Sequence, residues 1–445
     1  MYNNFIMSKK FYIETMGCQM NKSDTERLEG MFTELGYEKT VNDKEADFLL
    51  VSTCAIRQTS VDKAYSQLGV WGKRKKNNPS LKIGICGCAA EIDKESLFKR
   101  MPYLDLIFGT HNIFKFPEFV KRVENDEKVC EITNIPYPEP KELKVNRQNT
   151  VGAWIPIIEG CNNFCTYCVV PFTRGRERSR MPQLIIAEAE KAIKDGKKEI
   201  TLLGQNVDSY GKDLHNPDIT LANLLRSLNK IEGKFRIKFV TSYPTDITDD
   251  LIEAVAECDK VSKFFHIPMQ SGNSRVLKAM NRRYDREQYF EIFNKIRNRF
   301  DEVEITSDFI AGFPGETEEE FQDTLSAIKE LQIDYSNTAI YSPRPFTKAG
   351  KMTDIFIPDE IKEERFQRLH TVNCEATLNS NKKLIGKVYE VLCECQKNKK
   401  GKMMMNARTS TGKLVHFPSD TDLTGQFINV KIVKAQTWCL YAEIV

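Results

Sequence analysis

The sequence lacks any hydrophobic run long enough to cross a bilayer. Its 445 residues are 41% hydrophobic and 29% charged, and no apolar stretch approaches the roughly 18 residues that a membrane-spanning helix needs. The first residues, MYNNFIMSKK, contain neither the apolar segment nor the small-residue cleavage site of a secretory signal. These absences exclude a transmembrane protein and predict a cytoplasmic one.

The chain also lacks a strong excess of charge of either sign. It has 65 Lys and Arg residues against 62 Asp and Glu residues, a net charge of +3, which does not identify a nucleic-acid binder. The C-terminal segment differs, because residues 381–445 contain eleven Lys and Arg residues against five Asp and Glu residues. Any basic surface is therefore expected in this segment.

Thirteen cysteines are the unusual feature of the composition. An odd number without an export signal argues against a disulfide framework, because the cytosol keeps thiols reduced. Ligation of a metal or of an iron–sulfur cluster is the leading explanation, although most of these cysteines would serve equally as small buried hydrophobic residues. The spacing of the cysteines in the sequence is therefore used to distinguish metal ligands from core residues.

The pattern of apolar runs predicts an α/β protein of three domains. Residues 9–125 alternate short apolar runs with amphipathic stretches and predict an α/β parallel-sheet domain, and the polar, Pro-rich residues 126–146 predict a linker. Residues 147–379 contain six strand candidates, each followed by a polar or Gly-rich loop. They predict a partial (β/α)6 barrel with its site at the carboxyl ends of the strands, with an open doubly wound sheet as the alternative. Four strand-like runs in residues 381–445 predict a small β-barrel.

The sharpest signal is the run CNNFCTYC, in which Cys161, Cys165 and Cys168 follow the strand candidate WIPIIEG. Three thiolates on so short a loop are suited to ligate three irons of one [4Fe–4S] cluster and to leave the fourth iron open for a substrate or cofactor. Three buried cysteines or an incomplete zinc site are the alternatives. Structural zinc needs four ligands, and no second CxxC pair completes such a site, so the cluster is favoured.

A second set of cysteines comes after three successive strand candidates. Cys18 follows FYIETMG, Cys54 follows FLLVST and Cys88 follows KIGICG. Because the carboxyl ends of parallel strands lie at one edge of a sheet, the three thiols are expected to converge and to hold a second cluster. Ordinary core cysteines are the alternative. Cys86 ranks below Cys88 because Cys88 occupies the loop.

The run CNNFCTYC after the first strand of a six-strand β/α unit resembles the radical S-adenosylmethionine (SAM) superfamily. The whole chain resembles one branch, the radical SAM methylthiotransferases, which carry an N-terminal three-cysteine domain, a radical SAM core and a C-terminal TRAM domain. The matching stretches are TMGCQMN, STCAIR, GCAAE, CNNFCTYCVVPFTRGRERSR, LLGQNVDSYG, MQSGNSRVLKAMNR and SDFIAGFPGET. The resemblance implies two [4Fe–4S] clusters and SAM, which is bound at an open iron and cleaved to methionine and a 5′-deoxyadenosyl radical.

The stretch CVVPFTRGRERSR, with CAIR at Cys54, is most similar to the tRNA branch of these enzymes. That similarity implies methylthio transfer to position 2 of the adenine in N6-isopentenyl-adenosine next to the anticodon, with one SAM supplying the methyl group and a second the radical. Threonylcarbamoyl-adenosine in tRNA or a ribosomal-protein aspartate are the alternative substrates, and an iron–sulfur electron carrier or RNA-binding module is the alternative class. The chain departs from the family at Ser52, Tyr243 and Phe346, and no departure removes a cysteine ligand.

The resemblance also implies further contacts with SAM and RNA. The residues expected to bind SAM lie at strand carboxyl ends: Gly204, Gln205, Gln270, Ser271, Arg275 and Asp308. The residues expected to contact tRNA are Arg174, Arg176, Arg178, Lys399, Lys400 and Lys402. A solvated charged surface is the alternative for the arginines, while Trp438 and Phe427 are expected in the core of the small barrel. The implied partners are the tRNA anticodon stem-loop and an electron donor such as flavodoxin, and a monomer is expected.

Overall fold

The computed structural model describes residues 8–56, 58–133, 145–399 and 401–445, with only the backbone of Lys399. The chain forms two compact units. The first comprises the residues up to Gln148 with Glu159–Asn162 and Cys168–Arg178, and the second comprises Asn149–Ile158, Asn163–Tyr167 and Ser179–Val445. Arg57 of the CAIR stretch, residues 134–144 of the expected linker and Lys400 lie outside the described residues. None of the helices in the described ranges is long and apolar enough to span a membrane.

The first unit is built on a parallel sheet of six strands in the order β2-β1-β3-β4-β5-β6. The strands are β1 (Lys10–Met16), β2 (Glu38–Lys39), β3 (Phe48–Thr53), β4 (Lys82–Gly87), β5 (Leu106–Phe108) and β6 (Val129–Glu131). The helices are α1 (Gln19–Glu34), α2 (Gln58–Asn77), α3 (Cys88–Asp93), α4 (Ser96–Arg100) and α5 (Phe116–Glu124). The expected parallel-sheet domain is confirmed.

Both faces of this sheet are buried. In β3, Phe48 and Leu50 pack into an apolar cluster with Phe32, while Leu49 and Val51 pack into a second cluster with Trp71. Successive side chains of a strand point to opposite faces, so a continuous apolar run such as FLLV is what a strand covered on both sides requires. Nothing polar interrupts this run until the carboxyl end of the strand, where Ser52 and Thr53 precede Cys54.

The second unit contains six parallel strands in two groups of three, ordered β11-β10-β7 and β12-β13-β14. A single parallel bridge between Ile237 and Val261 continues the first group toward the second. The strands are β7 (Gly152–Pro156), β10 (Glu199–Leu203), β11 (Arg236–Phe239), β12 (Phe264–His266), β13 (Glu304–Ala311) and β14 (Tyr335–Ile340). The helices of this unit are α7 (Pro182–Lys194), α8 (Leu221–Asn229), α9 (Asp249–Glu257), α10 (Ser274–Ala279), α11 (Arg286–Arg299), α12 (Glu318–Leu331) and α13 (Asp359–Lys382). A short helix, α6 (Val170–Thr173), belongs to the first unit, and two short strands, β8 (Ile158–Glu159) and β9 (Arg178–Ser179), precede and follow it in the chain. The expected partial (β/α)6 barrel is confirmed.

The C-terminal residues form a closed barrel in the order β15-β16-β17-β19-β18, which confirms the small β-barrel. Its strands are β15 (Val388–Lys399), β16 (Lys402–Thr409), β17 (Leu414–Pro418), β18 (Phe427–Ala435) and β19 (Leu440–Ile444). Sequence patterning missed β16, because the run KMMMNART does not alternate polar and apolar residues. Placing Trp438 in the barrel core was wrong: it is 50% exposed, and its ring packs against those of Tyr335 and His370. Phe427 is half-buried beneath the cations of Lys234 and Arg236.

Candidate functional site

Cys18, Cys54 and Cys88, the auxiliary cysteines, lie at one edge of the sheet in the first unit. Strand pairing aligns Met16 of β1 with Thr53 of β3, and Thr53 with Gly87 of β4. Each cysteine follows its aligned residue within two positions. The structure therefore brings together three thiols that are 36 and 34 residues apart in the sequence.

Among the auxiliary cysteines, Cys18 has surroundings that favour the thiolate, whereas the hydrogen bond with Cys18 raises the pKa of Cys54 and burial raises the pKa of Cys88. The backbone N–H of Ile56 donates to Sγ of Cys54 at 3.3 Å. The hydrogen bond from Cys54 lowers the pKa of Cys18 to about 6, with a further contribution from the charge of Arg174. The thiolate is the form of cysteine that ligates metals, so this donor set fits an iron–sulfur cluster. In the described part of the chain, no three His, Cys, Asp or Glu side chains are placed to hold a single metal ion.

Cys86 has a different environment although it is only two residues from Cys88. It lies inside β4, aligned with Ser52 and Phe108 of the neighbouring strands. It packs in the same apolar cluster as Phe108, and burial raises the pKa of its thiol. Cys86 is a core residue in this sheet.

Arg174 lies beside the auxiliary cysteines and not on an exposed surface. It caps the C-terminus of α6 and is 3% exposed. Its Nη2 donates to Oδ2 of Asp24 at 2.7 Å, and its positive charge opposes the rise that burial causes in the pKa of the Cys88 thiol. This burial corrects the expectation of a tRNA contact for Arg174, because a guanidinium shielded from solvent does not present itself to an RNA backbone.

The other two arginines expected to contact tRNA differ in their exposure to solvent. Arg176 is exposed, and Arg178 is half-buried, with its guanidinium 3.6 Å from Glu159. Phosphate recognition by arginine needs a solvent-facing fork. Arg176 therefore meets that requirement better than Arg178.

The three cysteines of the run CNNFCTYC are named the radical cysteines, and each is described within its own unit. Cys161 and Cys168 belong to the first unit, where the backbone N–H of Cys161 donates to the carbonyl of Gly175 at 3.1 Å. Cys165 belongs to the second unit, where Arg282 donates from Nη1 to its Sγ at 3.5 Å. All three are half-buried, and none of them forms a disulfide with another cysteine of the described residues.

Arg282 is a candidate functional residue that the sequence analysis missed. Its guanidinium lies over the rings of Tyr243 and Tyr284, 4.3 and 4.9 Å from their centroids, while it donates to Cys165. Hydrogen bonds to sulfur ligands tune iron–sulfur clusters. In the sequence, the signal that could have identified Arg282 was its position at the end of MQSGNSRVLKAMNR. The ring beneath it belongs to Tyr243, one of the departures from the family pattern.

Three of the residues expected to bind SAM are placed by core strands, with Gly204 and Gln270 after strand ends and Asp308 within β13. Gly204 follows β10, and a Cβ there would lie 2.5 Å from Cγ2 of Ile158, so only glycine fits. Gln270 has a left-handed φ of 76°, and its backbone N–H donates to the carbonyl of Asp308 at 2.8 Å. Oδ1 of Asp308 accepts from Asn337 at 2.8 Å and Oδ2 lies 3.3 Å from Nε2 of His266.

His266 is the second residue that the sequence analysis missed. Burial alone would raise the pKa of Asp308, but the hydrogen bond and charge of His266, with the hydrogen bond of Asn337, outweigh it and lower that pKa. Nδ1 of His266 lies 2.9 Å from Oγ1 of Thr306. The imidazole is thus held between two residues of β13.

The remaining residues expected to bind SAM differ in their burial and in their hydrogen-bond partners. Gln205 directly follows Gly204 and is half-buried. Ser271 is fully buried, with its Oγ 3.4 Å from Oγ1 of Thr324. Arg275 is engaged by both carboxylate oxygens of Glu320 and donates to the carbonyl of Gly315 at 2.6 Å, so its side chain holds a loop.

Comparisons with known proteins agree with this arrangement. The Radical SAM superfamily model matches residues 155–328, Uncharacterized protein family UPF0004 matches residues 10–109, and the TRAM domain matches residues 382–445. A tRNA-2-methylthio-N(6)-dimethylallyladenosine synthase of Clostridium botulinum (strain Langeland / NCTC 10281 / Type F) is 46% identical, covering 98% of this chain and 96% of the relative. The synthase of Clostridium perfringens (strain 13 / Type A) is 47% identical and covers 99% of both chains.

The chain belongs to the tRNA-2-methylthio-N(6)-dimethylallyladenosine synthase family. The expected resemblance to the radical SAM methylthiotransferases is thereby confirmed, and the protein is a radical SAM enzyme. That superfamily uses SAM and a [4Fe–4S] cluster, so the expectation of these two cofactors is confirmed at the level of the family.

Solved structures support the fold assigned to this family member. The radical SAM methyltransferase TsrM from Kitasatospora setae superposes with a TM-score of 0.57 at 14% identity, covering 77% of each chain. The radical SAM enzyme OxsB superposes with a TM-score of 0.52 at 14% identity, covering 80% of this chain and 56% of its own. At this identity the likeness concerns the fold alone.

Proposed function

We propose that this protein transfers a methylthio group to position 2 of the adenine in N6-isopentenyl-adenosine, next to the anticodon of tRNA, using two SAM molecules and two [4Fe–4S] clusters. The convergence of the auxiliary cysteines at one sheet edge carries the proposal, because a radical SAM enzyme that inserts sulfur needs a second place to hold it. Family membership supplies the substrate class.

The auxiliary cysteines would hold one cluster and the radical cysteines the other. Each set offers three sulfur ligands, which leaves one iron of each cluster without a protein ligand. When bound, the cluster at the radical cysteines supplies the electron that cleaves SAM. The protein contributes the binding and orientation of SAM and the exclusion of water.

The chain's own residues have distinct tasks in this proposal. Gly204, Gln205, Gln270, Ser271 and Asp308 would line the SAM site at the strand carboxyl ends, with Gly204 providing the close approach of backbone that a side chain would block. Arg275 would act indirectly, by holding the loop at Gly315.

RNA contact is proposed for cations in two segments of the chain. Arg176 and Arg178 follow the radical cysteines in the sequence, and Lys399, Lys400 and Lys402 lie in the basic C-terminal segment, where Lys400 is outside the described residues. Lys399 of β15 pairs with Lys402 of β16, and Lys402 is exposed. The bound RNA would be the anticodon stem-loop, and we expect a monomer that acts in the cytoplasm and receives electrons from a donor such as flavodoxin.

Mass spectrometry of tRNA nucleosides tests the proposal. Cells that lack this protein should accumulate N6-isopentenyl-adenosine and lose its 2-methylthio derivative, and expression of the wild-type chain should restore it. A variant with Ala at Cys54 should not restore it, whereas Cys130→Ala, in β6 of the same sheet, should. Methylthiolation of threonylcarbamoyl-adenosine or of a ribosomal protein, with isopentenyl-adenosine unchanged, would contradict the proposal.

A further inference from the structure

Arg174 is a buried cation that the proposed function leaves without a task. Its side chain is 3% exposed, and its backbone N–H donates to the carbonyl of Val170 at 2.8 Å at the end of α6. A buried guanidinium is costly unless its donors are partnered. The partners therefore indicate what the residue is for.

Those partners connect Arg174 to two of the auxiliary cysteines. Asp24, which accepts from Nη2 at 2.7 Å, lies in α1, and α1 begins directly after Cys18. The positive charge of the same guanidinium acts to lower the pKa values of Cys88 and Cys18, and the guanidinium interacts with the charge of Glu159. Arg174 is thus held by the helix that begins after one predicted ligand, and its charge acts on two of them.

The segment around Arg174 is fixed on the same edge of the sheet. Oγ1 of Thr110 donates to the carbonyl of Thr173 at 2.7 Å, directly before Arg174. Val169, directly after Cys168, packs with Ala55 and Cys88 in a small apolar cluster. Contacts at both ends of α6 therefore leave the guanidinium little freedom to turn away from the sulfur atoms.

We propose that Arg174 is a positioning residue for the auxiliary cysteines, with its guanidinium balancing the negative charge of their sulfur atoms and Asp24 fixing the guanidinium in place. The identity of the group held by these sulfurs rests on the proposed function. A positive charge beside a cluster favours its reduced form, because reduction adds negative charge. Arg174 should raise the reduction potential of the auxiliary cluster, and Asp24 should lower it.

Opposite shifts in potential distinguish this task from a merely structural one. The full chain carrying Ala at the radical cysteines retains only the auxiliary cluster, whose midpoint potential is measured by a redox titration monitored by electron paramagnetic resonance. Arg174→Gln should lower the potential and Asp24→Asn should raise it. Their double variant and Arg174→Lys should lie closer to the parent than Arg174→Gln does. Arg176→Gln, an exposed arginine two residues away, should leave the potential unchanged.

Shifts of the same sign for Arg174→Gln and Asp24→Asn, or no shift in either, would overturn the inference. If Arg174→Gln loses its iron, the inference is supported when Arg174→Lys retains iron and Asp24→Asn has a raised potential. Loss of iron from Arg174→Lys as well would contradict the claim that the positive charge at this position supports the cluster. A wild-type protein that holds the cluster but makes no methylthio-adenosine would contradict the proposed function alone, since these potentials need no tRNA.

Discussion

Arg236 of β11 donates from Nη1 to the backbone carbonyl of Thr409 in the C-terminal barrel at 2.5 Å. Its Nη2 donates to the neighbouring carbonyl of Arg408 at 3.0 Å, and the side chain is almost fully buried. Beneath it, Glu199 lies 3.4 Å from Nε of Arg236 and 2.8 Å from Nζ of Lys238. The barrel is therefore held to the radical SAM core by two hydrogen bonds from a buried arginine.

Replacing Arg236 with Ala should loosen this attachment. The change removes two buried, charge-assisted hydrogen bonds and leaves the carbonyls of Arg408 and Thr409 without this donor, which should destabilise the protein by about 2–4 kcal/mol. Thermal unfolding followed by circular dichroism measures the effect. Arg226→Ala is the control, because Arg226 pairs with Asp250 and Glu257 near the surface and such pairs contribute about 1 kcal/mol or less. An equal loss of stability in the two variants would contradict the conclusion that Arg236 holds the barrel to the core.

The radical cysteines are predicted to hold half of the iron. Anaerobically reconstituted protein should contain about eight irons, as two [4Fe–4S] clusters require. Substitution of Cys161, Cys165 and Cys168 together by Ala should halve this content and abolish formation of 5′-deoxyadenosine from SAM. Iron analysis and chromatography of the SAM products measure both quantities. The prediction fails if the triple variant still makes 5′-deoxyadenosine.

The auxiliary cysteines should give a different result. Substitution of Cys18, Cys54 and Cys88 by Ala should also halve the iron, yet leave SAM cleavage measurable, because the radical cysteines are intact. The methylthio product should disappear. Cys86→Ala is the matched control, since Cys86 lies in the core of the same sheet. Full thiomethylation by the triple variant would show that sulfur is inserted elsewhere.

The sequence predicts the features that follow from local pattern and from the topology of successive strands, but not those that depend on one particular distant contact. Cys18, Cys54 and Cys88 could be assigned to one edge because strand period and parallel topology determine where strand ends lie. Arg174 could not be placed, because its burial depends on Asp24, which is 150 residues away. Trp438 was misplaced for the same reason: its partners Tyr335 and His370 come from the core. The domain boundaries and the roles of the individual site residues stay predictions.

Asp208 should make stability depend on pH. It is 7% exposed, accepts from Oγ of Ser242 at 3.1 Å, and its Oδ2 has no hydrogen-bond partner among the described residues. Burial raises the pKa of Asp208 to about 8, whereas an unfolded aspartate titrates near 3.9. The folded protein therefore retains a proton that the unfolded chain loses, and the free energy of unfolding should fall as the pH rises from about 4 to about 8.

Asp208→Asn removes that titration while preserving the shape of the side chain. The unfolding temperature of the variant minus that of the wild type should increase as the pH is raised from 5 to 8.5. Asp218→Asn, an exposed carboxylate in the same loop region, serves as the control and should leave the pH profile as it is. A constant difference between Asp208→Asn and the wild type at all pH values would contradict a raised pKa.

Removing residues 381–445 would be a poor test of RNA binding, although the sequence pattern places a domain border there. The helix α13 continues to Lys382, and Nδ2 of Asn381 donates to the carbonyls of Gln436 and Thr437 at 2.8 and 3.0 Å. The deletion would also uncover buried Arg236 and Glu304. Loss of tRNA binding by the truncated chain would then reflect unfolding as readily as lost contacts.

Neutralising exposed lysines of the barrel tests RNA binding by this segment and leaves the barrel and its contacts with the core in place. Lys397 and Lys402 are exposed on the β15–β16 hairpin, and each lysine that contacts a phosphate contributes about 0.7–0.9 to the slope of log affinity against log salt. Lys397→Gln with Lys402→Gln should therefore weaken tRNA binding and flatten its salt dependence by about 1.5, while SAM cleavage and iron content stay at wild-type values. Lys191→Gln with Lys194→Gln, at two exposed positions of α7, controls for the same change in net charge. An unchanged affinity and slope in the double variant would mean that this hairpin is structural and that the RNA surface lies elsewhere, with Arg176 the next residue to substitute.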